Sequence, residues 1–303
     1  MPSCVVSVIN YKGGVGKTTL TANVGAELAA RGRRVLLVDL DPQASLTFSL
    51  YDLDDFEKQL AQRTMLQWFQ SFVASGTAPP LDRYVTVPPA VNGAASGNGG
   101  ELHLLASHLG LIEIDLDLAA GLGGARFLKD HPRYLPVHRV LADALADAAF
   151  DGYDVVLVDC APNFNMVTRA AIVASDHLVI PARPDYLSTL GIDYLRARLS
   201  TLVDQYAEVT DSSIAPEILG VVHTMIQYTG AGILVSQRQS MERLAQIEVP
   251  AFQQTVRDNK TAFTDAALAR VPVVLAAERT ASMENLRHDL QQLTSEFIAK
   301  TRV

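Results

Sequence analysis

The chain has 303 residues, 49% of them hydrophobic, with a formal net charge of −8. Length and composition suit one large α/β domain over residues 1–303 with a sizeable core, and no apolar run of about 18 residues argues for a transmembrane helix. The negative balance excludes a generally basic nucleic-acid binder and leaves only a local basic face for any DNA contact.

The first element is Cys4-Val5-Val6-Ser7-Val8-Ile9, apolar and rich in β-branched residues, which predicts a buried strand. It starts so early that no room for a signal peptide is expected. Cys4 and Cys160 sit in or beside predicted buried strands, as inert thiols of a reducing compartment would. After the strand comes Asn10-Tyr11-Lys12-Gly13-Gly14-Val15-Gly16-Lys17-Thr18-Thr19. Gly13, Gly14 and Gly16 let backbone N–H groups approach an anion, and the helix opening at Thr18-Thr19-Leu20 adds its partial positive charge. Leu20, Val24 and Leu28 share one face of that helix. Lys17 is predicted to reach terminal phosphates and the Thr18 hydroxyl to ligate Mg²⁺. Lys12 has no obvious work inside its own loop.

A second buried strand runs from Arg34 to Asp39 and leads into Leu40-Asp41-Pro42-Gln43. Asp54 to Ala74 reads as one helix, with Leu60, Met65, Leu66, Trp68, Phe69 and Phe72 as its apolar content. The Gly/Asn/Ser-rich run at 92–100 predicts a flexible surface loop before a strand at Glu101–Leu105. Further strands are expected at 153–159, ending in Asp159, at Leu178–Pro181, leading into a loop that carries Tyr186, and at 218–225. The last helix carries Leu286, Leu290, Leu293 and Phe297 in a narrow stripe with mixed charge opposite, which suits docking on its own domain better than lying on a membrane. Alternating strands and helices predict an α/β, doubly wound, mostly parallel sheet with helices on both faces. Ligands of such sheets bind at the strands' carboxyl ends, where the motif residues fall.

The KGGVGKTT stretch, the D-x-D-P-Q strand end and the strand ending at Asp159 resemble the ParA/MinD superfamily of P-loop ATPases with a deviant Walker A motif, and the order of motifs along the chain resembles the ParA branch. The resemblance implies ATP and Mg²⁺ as cofactors and an ATP-dependent homodimer. Gly13, Gly14, Val15, Gly16, Lys17, Thr18, Thr19 and Met225 would bind nucleotide; Thr18, Asp41 and Asp159 would serve the metal. Lys12, Lys17 and Asp41 would be catalytic, with Lys12 crossing to the partner's nucleotide, Asp41 orienting the attacking water and Asp39 supporting them. Phosphoryl transfer rests on such positioning and charge neutralisation.

The ParA likeness further implies an ATP state that binds DNA nonspecifically on the nucleoid of a cytoplasmic protein, segregates chromosome or plasmid DNA, and is released by a ParB-like partner. Relatives that position protein cargo through an adaptor, and a switch acting on protein partners without DNA, are the alternatives. Lys260 in Val256-Arg257-Asp258-Asn259-Lys260 is the first DNA-contact candidate, followed by Arg238, Arg243, Arg279 and Arg287. No helix-turn-helix precedes the first strand, so operator binding is not expected. Residues 52–100, read as a variable helical and flexible insertion, are the least family-like, and Trp68 and Phe69 could offer a partner contact there, though packing on the sheet is the stronger expectation. The turn Asp159-Cys160-Ala161-Pro162-Asn163-Phe164 departs from the family's D-x-P-P-S-L second switch, and Arg183 stands where glutamine is more usual.

Overall fold

A computed structural model describes all residues except 96, 123–130, 212–213, 231, 248 and 279. In chain order the strands are β1 (Val5–Val8), β2 (Arg34–Asp39), β3 (Val85–Thr86), β4 (Glu101–Leu105), β5 (Val155–Asp159), β6 (His177–Ala182), β7 (Glu217–His223), and a small ribbon of β8 (Tyr228–Thr229) with β9 (Gly232–Ile233). The helices are α1 (Lys17–Ala30), α2 (Ser45–Leu50), α3 (Leu53–Asp55), α4 (Met65–Ser75), α5 (Pro89–Ala95), α6 (Leu111–Ala120), α7 (Tyr134–Leu145), α8 (Met166–Val173), α9 (Tyr186–Ala207), α10 (Val235–Leu244), α11 (Lys260–Ala269) and α12 (Ala281–Thr301).

Seven strands form one sheet in the order β3-β4-β2-β5-β1-β6-β7, parallel except for β3. β1, β2 and β5 are almost wholly buried because helices cover both faces, and their sequences read accordingly as continuous apolar runs. One face packs against α4, α6, α7, α8 and α9 through Val38, Val158, Trp68, Leu141 and Ile192. The other packs against α1, α2, α5, α11 and α12 through Leu37, Leu157, Leu28, Leu286 and Phe297. The stripe on α12 is buried on its own domain, and among the described residues no helix is long and apolar enough to cross a membrane. Cys4 and Cys160 are buried, and burial pushes both thiols up, Cys4 to about 12.

Three expectations change. The helix predicted over Asp54–Ala74 is two pieces, α3 continuing as a π-turn at Phe56–Leu60, then α4. Extended Thr64 starts α4 with a capping box to Gln67, and the Met65 N–H bonds the Ala106 carbonyl at 2.8 Å, which pins the new start to the end of β4. Of the run expected as a flexible loop at 92–100, residues 92–95 form the end of α5. Asn92 closes α5 onto β4 by bonding both the Leu102 carbonyl (2.7 Å) and its N–H (2.9 Å), and the Asn98 amide bonds the Ala30 carbonyl at 2.7 Å. Tyr186 is the first residue of α9, capped by Asp185, and not part of a loop. Trp68 and Phe69 are fully buried, the Trp68 indole donating to the Pro79 carbonyl at 2.9 Å, so they pack in the core as the stronger expectation had it.

Candidate nucleotide site

The carboxyl ends of β1, β2, β5, β6 and β7 converge on one edge of the sheet. From β1 the chain turns through residues 10–16, with Gly14 at φ 67° and Gly16 at φ 88°, a left-handed backbone that a side chain would strain. Asn10 braces the turn: its amide donates to the Pro181 carbonyl (2.7 Å) and its oxygen accepts the Lys12 N–H (2.9 Å). Helix α1 begins at Lys17 with no side-chain cap, which leaves its first N–H groups to serve an anion. Lys17 is buried and its ammonium donates to the carbonyls of Asn10 (3.2 Å) and Lys12 (3.4 Å). Burial lowers its pKa, against the opposing pull of Asp159 and Asp41.

Asp39 and Asp159 face each other in register across β2 and β5, both fully buried. Burial raises Asp39 to about 7, although its carboxylate accepts from the Thr47 N–H and hydroxyl, each at 2.8 Å. Burial, then the neighbouring Asp39 charge, holds Asp159 well above the ordinary carboxylate range. One Asp159 oxygen accepts the Thr18 hydroxyl at 2.6 Å; the other is buried without a partner. Paired acids, an orphaned carboxylate oxygen and a threonine hydroxyl make a donor set of the hard oxygen kind that Mg²⁺ takes. Among the described residues no three acidic, His or Cys side chains could hold a metal alone, so waters and phosphate oxygens would complete its shell. Asp41 lies half-buried at the rim, its carboxylate accepting the Gln43 N–H at 2.9 Å and its carbonyl the Ser107 hydroxyl at 2.7 Å.

A cleft of about 530 Å³ is lined by Gly13, Gly14, Gly16, Lys17, Thr18, Thr19, Asp41 and Met225; the buried Asp39 and Asp159 are not part of its lining. A second hollow of about 330 Å³ shares Gly16, Thr19, Met225 and Phe263 with it and adds Val256, Asp258 and Lys260. Val15 is turned into the core, and its carbonyl takes the Thr224 hydroxyl at 2.8 Å, so only its backbone faces the loop. Sequence reasoning missed Thr224, Asn23, Phe263, Ala267 and Pro272; the last three come from α11 and the turn after it, where no local motif marks them. Met225 has φ 56°, an unusual backbone for a residue with a side chain. Gln237 on α10 fixes it, donating to the Met225 carbonyl (3.0 Å) and accepting the Gln227 N–H (2.8 Å).

Lys12 does not join Lys17. Its ammonium pairs with Asp185 at 2.6 Å, at the start of α9. Burial pushes the Asp185 carboxyl up, but hydrogen bonds from Lys12 and Ser188 outweigh it and hold the group below its ordinary value. Of the basic residues expected to face DNA, Arg238 and Arg243 are exposed on α10 and Lys260 is exposed at the start of α11. Arg287 is not on that surface. It is 7% exposed, and its guanidinium closes the turn before α12 by donating to the carbonyls of Ala276 and Glu278 while pairing with Glu284. Arg279 lies outside the described residues. Arg183 is exposed.

A family model described as an AAA domain matches residues 3–210. An uncharacterised protein of Mycobacterium tuberculosis is 27% identical over 98% of this chain and 80% of its own length. The chromosome-partitioning ATPase Soj of Thermus thermophilus is 29% identical over 78% of this chain and 75% of its own. Among solved structures, the ATP complex of a point variant of Cyanothece McdA superposes with a TM-score of 0.72 at 17% identity, covering 98% of this chain and 97% of that one. The seven-stranded, mostly parallel sheet with its flanking helices is the fold these comparisons share. The chain belongs to this AAA-domain family as a ParA/MinD-type P-loop ATPase, an enzyme of ATP and Mg²⁺.

Proposed function

We propose that this ATPase is a dimerising switch. The N–H groups of residues 13–19 would hold the phosphates of ATP, Lys17 would neutralise the terminal ones, and Thr18 with Asp159 would hold Mg²⁺, which would supply charge neutralisation for phosphoryl transfer. Asp41 orients the attacking water. Two subunits close face to face, and Lys12 leaves Asp185 to reach the partner's phosphates. The observation that carries this reading is the separation of the two lysines: Lys17 is folded into the loop while Lys12 is held on α9. The chain 1–303 acts as one ATPase unit, with residues 52–100 as its variable part.

The closed dimer gathers Arg238, Arg243 and Lys260 into a composite basic surface that binds DNA without sequence preference. A ParB-like partner then stimulates hydrolysis and releases it, so that chromosome or plasmid DNA is segregated on the nucleoid. The partitioning role of the Thermus relative supports this. The test is binding to a nonspecific duplex at low salt with ATP, with ADP and without nucleotide, using Asp41→Ala to prolong the ATP state. Binding with ATP alone, lost as salt rises, is the expected result. No binding in any state overturns the DNA step.

A second reading keeps the switch and changes its readout to a protein cargo adaptor or another protein partner. It is favoured by the net charge of −8 together with the exposed apolar side chains of Tyr186, Leu187, Leu190 and Tyr194 along the first half of α9. Failure to bind DNA with intact ATP-dependent dimerisation would select it.

A further inference from the structure

Three aromatic rings meet beside the phosphate loop. Tyr11, immediately before Lys12, lies nearly parallel to Phe164, with centroids 6.1 Å apart and planes at 14°. Its ring centroid lies 4.8 Å from that of Tyr194, with the two planes at 63°. The rings come from three different parts of the site. Tyr11 belongs to the loop, Phe164 to the turn that follows Asp159, and Tyr194 to α9, whose capping residue Asp185 holds Lys12. Phe164 is 8% exposed and further fixed by two cations: the guanidinium carbons of Arg169 and Arg198 lie 5.6 and 5.9 Å from its centroid. Arg169 also donates to the Phe164 carbonyl at 3.3 Å.

Ring stacking and cation–π contacts depend on orientation as well as distance. A shift of the turn after Asp159 therefore displaces the Phe164 face on which Tyr11 rests. Lys12 has little freedom to ignore that shift, because its N–H is tied to the Asn10 side chain and its carbonyl faces the Lys17 ammonium. We infer that Tyr11 and Phe164 are positioning residues that couple the turn after Asp159 to Lys12. The stack sets where Lys12 can reach as that turn moves during the ATPase cycle. This rests on the proposed role of Lys12 in the closed dimer.

The test compares Tyr11→Leu and Phe164→Leu with the ring-keeping variants Tyr11→Phe and Phe164→Tyr, and with Lys12→Ala in parallel. ATPase rate and ATP-dependent self-association by sedimentation are read below the unfolding midpoint of every variant. The expected result for both leucine variants is a kcat lower by about tenfold, weaker self-association, and a KM for ATP within about threefold of the parent. The ring-keeping variants should restore both. If Lys12→Ala loses rate while the leucine variants keep theirs, the rings only pack and the coupling is wrong. If KM rises and kcat holds, the rings shape the ATP cleft and the coupling is again wrong. If Lys12→Ala itself changes neither rate nor self-association, the role given to Lys12 fails first and the coupling falls with it.

Discussion

The Lys12 ammonium and the Asp185 carboxylate lie 2.6 Å apart although 173 residues separate them in the chain. Asp185 has two tasks here, since its other oxygen accepts the Ser188 N–H at 2.9 Å and caps α9. Asparagine can still cap but cannot pair with an ammonium. Both side chains are partly exposed, so solvent screening limits the pair to at most about 1 kcal/mol. In a switch that must free Lys12 before closing, Asp185→Asn should therefore tighten ATP-dependent self-association by up to about fivefold. The check is sedimentation with a slowly hydrolysed ATP analogue; weaker association would show instead that Asp185 helps Lys12 in the closed state.

Asp159 illustrates a site whose chemistry opposes stability. It is wholly buried beside Asp39, and both effects disfavour its charge. Asp159→Asn keeps the shape and can still accept the Thr18 hydroxyl, but removes the buried like charge. Without nucleotide the variant should be more stable, by on the order of 1 kcal/mol or more, while its Mg²⁺-dependent ATPase rate falls at least about a hundredfold. Calorimetry and a phosphate-release assay read the two separately. A less stable nucleotide-free variant would contradict the account of the paired acids.

Much of this site was legible because its signals are local. Glycines, lysine and threonines within ten residues mark the phosphate loop, Asp41 lies two residues beyond β2 and Asp159 ends β5. What escaped the sequence depends on distant partners. The Lys12–Asp185 pair and the Tyr11–Phe164–Tyr194 stack join loops far apart in the chain, so no spacing announces them. The same holds for Arg287, whose charge suggested a surface, yet it satisfies carbonyls of a turn that only the fold brings beneath it. The break before α4 was missed because apolar periodicity runs on through it; the capping pair Thr64 and Gln67 was the available signal.

Gln237 connects the nucleotide cleft to the helix that carries Arg238 and Arg243. Its two hydrogen bonds hold the Met225 carbonyl and the Gln227 N–H, and Met225 lines the cleft in a conformation that costs roughly 1 kcal/mol or more to maintain. Gln237→Ala removes both bonds from a partly exposed site, so Met225 should relax and ATP affinity fall by about three- to tenfold. Gln237→Glu keeps the acceptor for the Gln227 N–H but loses the donor to Met225, and should give an intermediate loss. Titration with a fluorescent ATP analogue distinguishes these values, and unchanged affinity in both variants would mean that Met225 is held by its own loop.

Two buried histidines oppose folding in mild acid. His138 is fully buried against the Tyr134 ring, with one ring nitrogen bonded to the Tyr134 carbonyl and the other unpartnered. His223, at the end of β7, is 4% exposed, and its Nδ1 also lacks a partner. Burial lowers both from 6.5 to about 4. Each is therefore neutral when folded and takes up a proton on unfolding once the pH drops below about 6.5. At these two sites the unfolded chain binds more protons in that window, so their contribution to stability is complete above it and declines as pH falls from 6.5 towards about 4, where the folded forms also protonate. The loss should reach on the order of 2–3 kcal/mol per histidine. The raised carboxyls of Asp39 and Asp159 take up protons on folding and act with the opposite sign in the same window, so the histidine contribution is read as a difference between parent and variant, by urea unfolding at intervals between pH 7.5 and pH 4 (about one unit apart). His138→Gln, which cannot take up a proton, should gain on the parent by about 2–3 kcal/mol between pH 7.5 and pH 4, whatever its stability at pH 7.5. A parent–variant difference that stays constant with pH would show that His138 takes up no proton on unfolding in this range.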